Sequence, residues 1–416
     1  MLDANKDTLV YHAAGRPASH ANDARLGSVS PDQNGTVGPV RRRLAWLILP
    51  LFLAVFASTI YVIRIHQEMV DFEVYRQAAG RAMAGENLYR PDDGHYQYKY
   101  LPPFAFAMAP FAIVEDRYAR LAWYALTWGL LCLFVRWSAE ALPDKRLSVK
   151  ALAWIAVLFM GKSYAHEVHL GQTNILFAVL LMAALLSMEA GARWAAGALV
   201  ALAVFVKPYA LLFVPWVWLV AGLPGLAGGA AVLAVGLMLP ALEFGWQGNI
   251  DQIVGWYRTV TETSVPNLLV NENVSFATTW AKWIGVGPAA ARLAMITSVA
   301  TLALTVFVVA RRRQVREPAY LEFGMLMLII PLLSPQGWDY VLLIATPAVL
   351  IVGDRWKELA LPWRAISGLA LFGLGFTIWD VLRRTLYAQA MAINFVTICA
   401  MLLFATLVHL RLRKLA

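Results

Sequence analysis

An almost unbroken apolar run covers 44–63, directly after Arg41, Arg42 and Arg43. A helix rising about 1.5 Å per residue over that length crosses a hydrocarbon core roughly 30 Å thick. Further apolar segments fall near 119–136, 150–164, 174–189, 195–206, 208–221, 227–241, 289–310, 319–333, 340–353, 365–380 and 390–410. Counted together they predict an all-α polytopic membrane protein of about 12 transmembrane helices, several of them shorter than the roughly 17–25 residues of a comfortable span. Leu101–Val114 is short and carries Pro102, Pro103 and Pro110, so it reads as a re-entrant or interfacial segment. Residues 1–40 show no apolar periodicity and are expected to form a disordered cytoplasmic tail, with 41–416 as a single transmembrane domain. The first apolar run begins too far along the chain for a cleavable leader and is expected to be an uncleaved signal anchor.

Polar residues then divide by side. Connections 64–118, 242–288 and 334–339 and the turn at 162–173 fall on one face. Arg41–Arg43, the stretch from Arg136 to Lys150, Arg193, Arg311–Arg313 and the stretch from Arg355 to Arg364 fall on the other, with the C-terminal basic residues. The basic side is the cytoplasm by the positive-inside rule, so both termini are expected inside. Arg383 and Arg384 sit outside against the rule. Composition removes the soluble alternatives: 60% of residues are hydrophobic and 15% charged, against about 45–50% and 25% in ordinary globular proteins. The net charge of +9 is spread over flanks of apolar segments, so it orients the chain in a membrane and does not mark a nucleic-acid surface. Both cysteines, Cys132 and Cys399, lie inside apolar runs, which excludes a disulfide framework or a cysteine zinc site.

Candidate chemistry gathers on the outer face. Asp71 and Glu73 follow the first span closely, where partial desolvation raises a carboxyl pKa toward that of a useful general base. Tyr75, Gln77 and Arg81 continue at helical spacing and predict an amphipathic surface helix ending near Gly85. Lys207 interrupts a long apolar run, where facing lipid at mid-depth would cost roughly 2.5–3.5 kcal/mol, and Pro208 breaks the helix beside it. His166, Glu167 and His169 form HEVH, which lacks the HExxH spacing and a third ligand, so a polar lining role is expected and no metal site. Asn271–Ser275 lies in the long connection 242–288, beside an amphipathic tract with Trp256, Tyr257 and Arg258, and this connection is expected to form an acceptor-side wall or lid.

These residues carry a resemblance. Asp71-x-x-x-Tyr75, Gly85-x-x-Leu88-Tyr89 and Tyr98-x-Tyr100-x-Pro102 occur in order with His169-Leu170-Gly171-Gln172-Thr173-Asn174 and Lys207-Pro208. Asn271-Glu272-Asn273-Val274-Ser275 and Leu333-Ser334-Pro335 with Trp338 complete the set. Together they resemble glycosyltransferase family 87, membrane enzymes of the GT-C fold that include polyprenyl-phosphate-mannose-dependent mannosyltransferases and a related arabinofuranosyltransferase. The resemblance implies inverting transfer of a mannose-like hexose or arabinose from a polyprenyl-phosphate donor. The acceptor is expected to be a cell-envelope glycolipid or polysaccharide on the outer face of a bacterial cytoplasmic membrane. Asp71 is then the expected base with Glu73 in reserve, and Lys207, Arg383 and Arg384 are candidates for the donor phosphate. Tyr75, Tyr100, His166, His169, Gln172, Asn174, Asn273, Trp338 and Asp339 are candidates for binding sugar and acceptor. Asn174 is equally placed to cap a helix, Trp338 to anchor at the interface, and Asp339 to pair with Lys162, Arg383 or Arg384. Many relatives place a histidine just after the tryptophan, where this chain has Asp339 and Tyr340. No cofactor is expected, the lipid-linked donor being a substrate, and divalent-metal dependence is left open. The competing reading is a transporter or flippase of lipid-linked sugars, which predicts internal repeats; none is evident in the sequence.

Overall fold

Helix α1, Val70–Met83, buries Phe72, Tyr75, Ala78, Ala79 and Ala82, a set spaced by three and four residues that forms a single face. The computed structural model describes residues 58–414, so the tail, Arg41–Arg43 and most of the expected first span lie outside the described residues. A tight turn at Gly85 (φ 64°) ends the first helical segment. Residues 97–101 then run without helix into α2 (Pro102–Ala107) and α3 (Ala109–Ile113), each too short to cross a membrane.

The rest of the chain is helix on helix: α4 Asp116–Ala141, α5 Val149–Leu170, α6 Asn174–Glu189, α7 Arg193–Val206, α8 Val214–Met238, α9 Ala241–Ser264, α10 Phe276–Ile284, α11 Pro288–Ala310, α12 Ala319–Leu333, α13 Thr346–Asp354, α14 Leu361–Phe376, α15 Trp379–Ala392 and α16 Phe395–Leu412. Among the described residues there is no β-strand, only an isolated bridge between Asn273 and Trp338.

Among the described residues, four helices are long and apolar enough to cross a membrane: α4, α8 with the 3-10 turn Pro208–Phe213 before it, α11 and α16. The pair α5/α6 bends by 118° and the pair α14/α15 by 103°; counting each as one broken span gives up to six. The expectation of about 12 spans is not reached among the described residues, and the reason is physical. Helix α12 is buried on every side from Tyr320 to Leu332. The apolar run 340–353 divides into a 3-10 turn, Asp339–Ala345, and the short α13, both buried. A helix apolar all round is either an interior helix or a span, and composition does not separate the two.

Candidate functional site

The bend between α5 and α6 sets the floor of a cavity of about 650 Å³. Gly171 ends α5 in the left-handed conformation (φ 69°), and its carbonyl accepts from Trp123 Nε1 at 2.9 Å. Glu167 then reaches forward, its carboxylate accepting from Ile175 N at 2.8 Å and from Asn174 Nδ2 at 2.7 Å. The first turn of α6 is thereby capped by a side chain from α5, satisfying an amide that a helix start leaves orphaned. Asn174 is wholly buried against Glu167 and does not line the cavity.

Gln172, next in the turn, faces the cavity among tyrosines. The Tyr75 and Tyr100 hydroxyls are 2.8 Å apart, and both lie within donating distance of Gln172 Oε1, at 3.2 and 3.4 Å. Gln172 Nε2 donates to the Tyr340 hydroxyl at 3.3 Å. Burial pushes the Tyr75 phenol well up, so it stays a neutral donor.

Asp71 lines this cavity from the first turn of α1. Burial pushes its carboxyl up; the Gln172 amide and the charges of Lys207, Lys99 and His95 hold it down. The cations come from two other segments. Lys207 sits in extended conformation (φ −148°, ψ 114°) between α7 and the Pro208–Phe213 turn, so proline does break the helix there. Its ammonium lies 5.2 Å from the centre of the Tyr100 ring, within cation–π range. Lys99 lies on the non-helical stretch before α2; burial pushes its ammonium down, nearby Lys207 adds to this and Asp71 opposes it. Arg81 clasps Asp93 with two bonds of 2.5 and 2.8 Å and so fixes the Pro91–Tyr96 turn, from which His95 reaches the cavity.

The far wall is built where two of the sequence motifs pair. Val274 N donates to Gly337 O at 2.6 Å and Asp339 N to Glu272 O at 2.8 Å, a two-residue antiparallel bridge. Asn273 reinforces it from a fully buried position, its Nδ2 donating to Pro335 O at 2.8 Å and to Asn267 O at 3.1 Å. Trp338 and Tyr340 emerge with their rings nearly parallel, 6.4 Å between centres. His166 meets Tyr340 edge-on at 4.8 Å.

Asp71, Tyr75, Tyr100, His166, Gln172, Lys207 and Trp338 therefore share one cavity. Other candidates stand elsewhere. Glu73 points away into an ion cluster, accepting from Arg120 at 2.9 Å and from Arg76 at 3.2 Å, because two residues along a helix turn a side chain to another face. His169 pairs with Glu68 at 2.7 Å outside the cavity lining. Asn273 buttresses the bridge from behind. Asp339 is buried and paired with Lys162 at 2.6 Å, leaving Arg383 and Arg384 without it. Those two arginines are exposed and do not line the cavity; Arg384 lies over Trp379.

Sequence reading passed over Lys99 and Tyr340 as cavity residues, while Trp256 lies in the long connection 242–288 and lines the cavity. Lys99 reaches the cavity from the non-helical stretch 97–101, where Gln97, Lys99 and Tyr100 line it while Tyr98 is buried away from it; no pattern in the sequence singles it out. Among the described residues, no group of three or more His, Cys, Asp or Glu side chains lies close enough to hold a metal ion.

No curated protein and no solved structure shows significant similarity to the chain. A family match begins just before the Lys99-bearing segment, passes through the α5/α6 turn, Lys207 and Asn273, and ends at Pro335. Asp71 lies before the matched region and Trp338 beyond it, so the fold is what brings them to its residues. The matched stretch, residues 98–335, covers more than half of the chain, and the chain belongs to glycosyltransferase family 87.

Proposed function

We propose that this glycosyltransferase moves a mannose-like hexose or arabinose from a polyprenyl-phosphate donor to a hydroxyl of a cell-envelope lipid or glycan, in one inverting displacement. The carrying observation is a half-buried carboxylate, Asp71, that shares a cavity with two lysines, Lys99 and Lys207, whose charges reach it. Asp71 takes the acceptor O–H proton. The acceptor oxygen forms its bond to the anomeric carbon as the bond from that carbon to the phosphate oxygen breaks, and polyprenyl phosphate departs with the electron pair. Lys207 receives the charge that develops on the leaving group, the interaction that gains most in the transition state. Gln172, Tyr75, Tyr100 and His166 supply fixed donors and acceptors for hydroxyls, and Trp338 an aromatic face.

On this reading the cavity opens on the outer face of a bacterial cytoplasmic membrane, with both termini inside. The short apolar helices act as further crossings in a GT-C-like bundle of about 12. The test is transfer from defined polyprenyl-phosphate sugars by purified protein in vesicles, with the anomeric configuration of the product read by NMR. Inverted product from the parent chain, lost in Asp71→Asn, is expected; retained configuration would remove the single displacement.

A further inference from the structure

Helix α9 has three faces. One packs inward: Asn249, Gln252 and Thr259 are buried, and Trp256, Val260 and Ser264 wall the cavity. A second is polar and exposed: Gln247, Asp251, Arg258 and Glu262, with Gln247 donating to Asp251 at 3.1 Å. The third is apolar and bare. Trp246, Ile250, Val254 and Tyr257 recur at spacings of four, four and three and so form one column, with Trp246 64% and Tyr257 67% exposed. A surface helix of a water-soluble domain turns its apolar stripe to the core; this one turns polar side chains inward and the stripe outward.

We propose that the Trp246–Tyr257 column is immersed in the acyl region of the bilayer, so that α9 lies flat in the membrane interface with its charged face in water. Continuity argues for lipid as the occupant. The exposed apolar surface of the preceding span runs through Val235, Met238, Leu239 and Leu242 to a break at Gly245 (φ 68°), and the column begins at the next residue, Trp246. Tryptophan and tyrosine on the stripe and alternating charges beside it are the composition of an interfacial helix. Because Trp256, Val260 and Ser264 belong to the same helix, one wall of the cavity then sits at the lipid surface. A lipid-linked ligand reaches it by moving sideways in the membrane.

The experiment uses the full chain with Cys132→Ala, the buried Cys399 being left in place. Single substitutions Trp246→Cys, Ile250→Cys, Val254→Cys and Tyr257→Cys are spin-labelled in vesicles of phosphatidylethanolamine and phosphatidylglycerol, beside Asp251→Cys, Arg258→Cys and Glu262→Cys. Collision with oxygen is compared with collision with a water-soluble nickel chelate. The expected result is a depth parameter that reverses sign between the two columns. Nickel accessibility at every site places the helix in water, and shielding of the apolar column from both reagents means that protein covers it; either overturns the proposal. The spectra need no turnover, so their failure leaves the transferase reading standing.

Discussion

Phe72 packs so closely on Gly171 that a β-carbon added to the glycine would lie 2.8 Å from the β-carbon of Phe72. This contact sets the distance between α1 and the α5/α6 turn, and therefore between Asp71 and Gln172, the residues next to them in sequence. Gly171→Ala meets both this clash and a positive φ of 69°. The expected loss is about 1–3 kcal/mol of stability, with a fall in turnover because Asp71 is displaced. Thermal unfolding in detergent, run beside the transfer assay, measures both; an unchanged midpoint would show that the helices yield freely there.

Asp71→Asn is expected to reduce turnover at least about 100-fold, the lower range for loss of a positioned base. Its stability moves the other way. Burial raises the Asp71 pKa in the folded chain, so no penalty exists below the unfolded value, and one accrues as pH rises through the folded value and the carboxylate is held ionised. The asparagine variant should unfold at the same or a higher temperature than the parent at about pH 7–8, the difference closing toward about pH 4. The acid limb of the parent's rate profile should lie above the ordinary carboxylate range.

Glu73→Gln separates the two neighbouring acids. Glu73 faces Arg120 and Arg76 and is only partly buried, so its ion pairs contribute at most about 1 kcal/mol. Turnover should stay within about twofold of the parent, as for surface changes away from a site. A deficit as deep as that of Asp71→Asn would transfer the base role to Glu73.

Lys207→Met should lower kcat by about 100-fold or more if the ammonium meets charge that develops only on the departing phosphate. Lys99→Met, which removes the second cation sensed by Asp71, should also shift the acid limb of the rate profile upward. A variant whose KM alone rises would assign Lys207 to ground-state binding.

Asn273→Ala removes the buried donor shared by Pro335 and Asn267. Leaving such carbonyls unpaired costs about 1–3 kcal/mol each. Hydrogen exchange should quicken at Val274 and Asp339, whose amides make the bridge, before it quickens in α12.

The convergence of Asp71, His166, Gln172, Lys207 and Trp338 was legible because Lys207 interrupts an apolar run and the other four lie in polar connections placed on one side of the membrane. What was not legible follows from geometry that a one-dimensional pattern does not carry. Asp71 and Glu73 are indistinguishable in composition; only the rotation of α1 against Gly171 sends one to the cavity and the other to Arg120. Asn174 read as both ligand and cap, and the capping carboxylate came instead from Glu167, a residue on the other side of the turn. Arg383 and Arg384 looked exceptional by charge sidedness, yet Lys162 is what meets Asp339. Hydropathy does not settle the span count for a similar reason: α12 has the hydropathy of a lipid-facing helix and is buried on every side.

The size of the cavity bears on how a long-tailed donor is measured. About 650 Å³ accommodates a phosphorylated sugar beside the hydroxyl-bearing end of an acceptor, and it leaves no room for a chain of many isoprene units. Such a tail would stay in the membrane, and its length would register as surface concentration and lateral mobility, with the chemical step indifferent to it. Donors cut back to a few isoprenes should then differ from full-length ones in how much of them the bilayer holds, and match once compared per unit of membrane area.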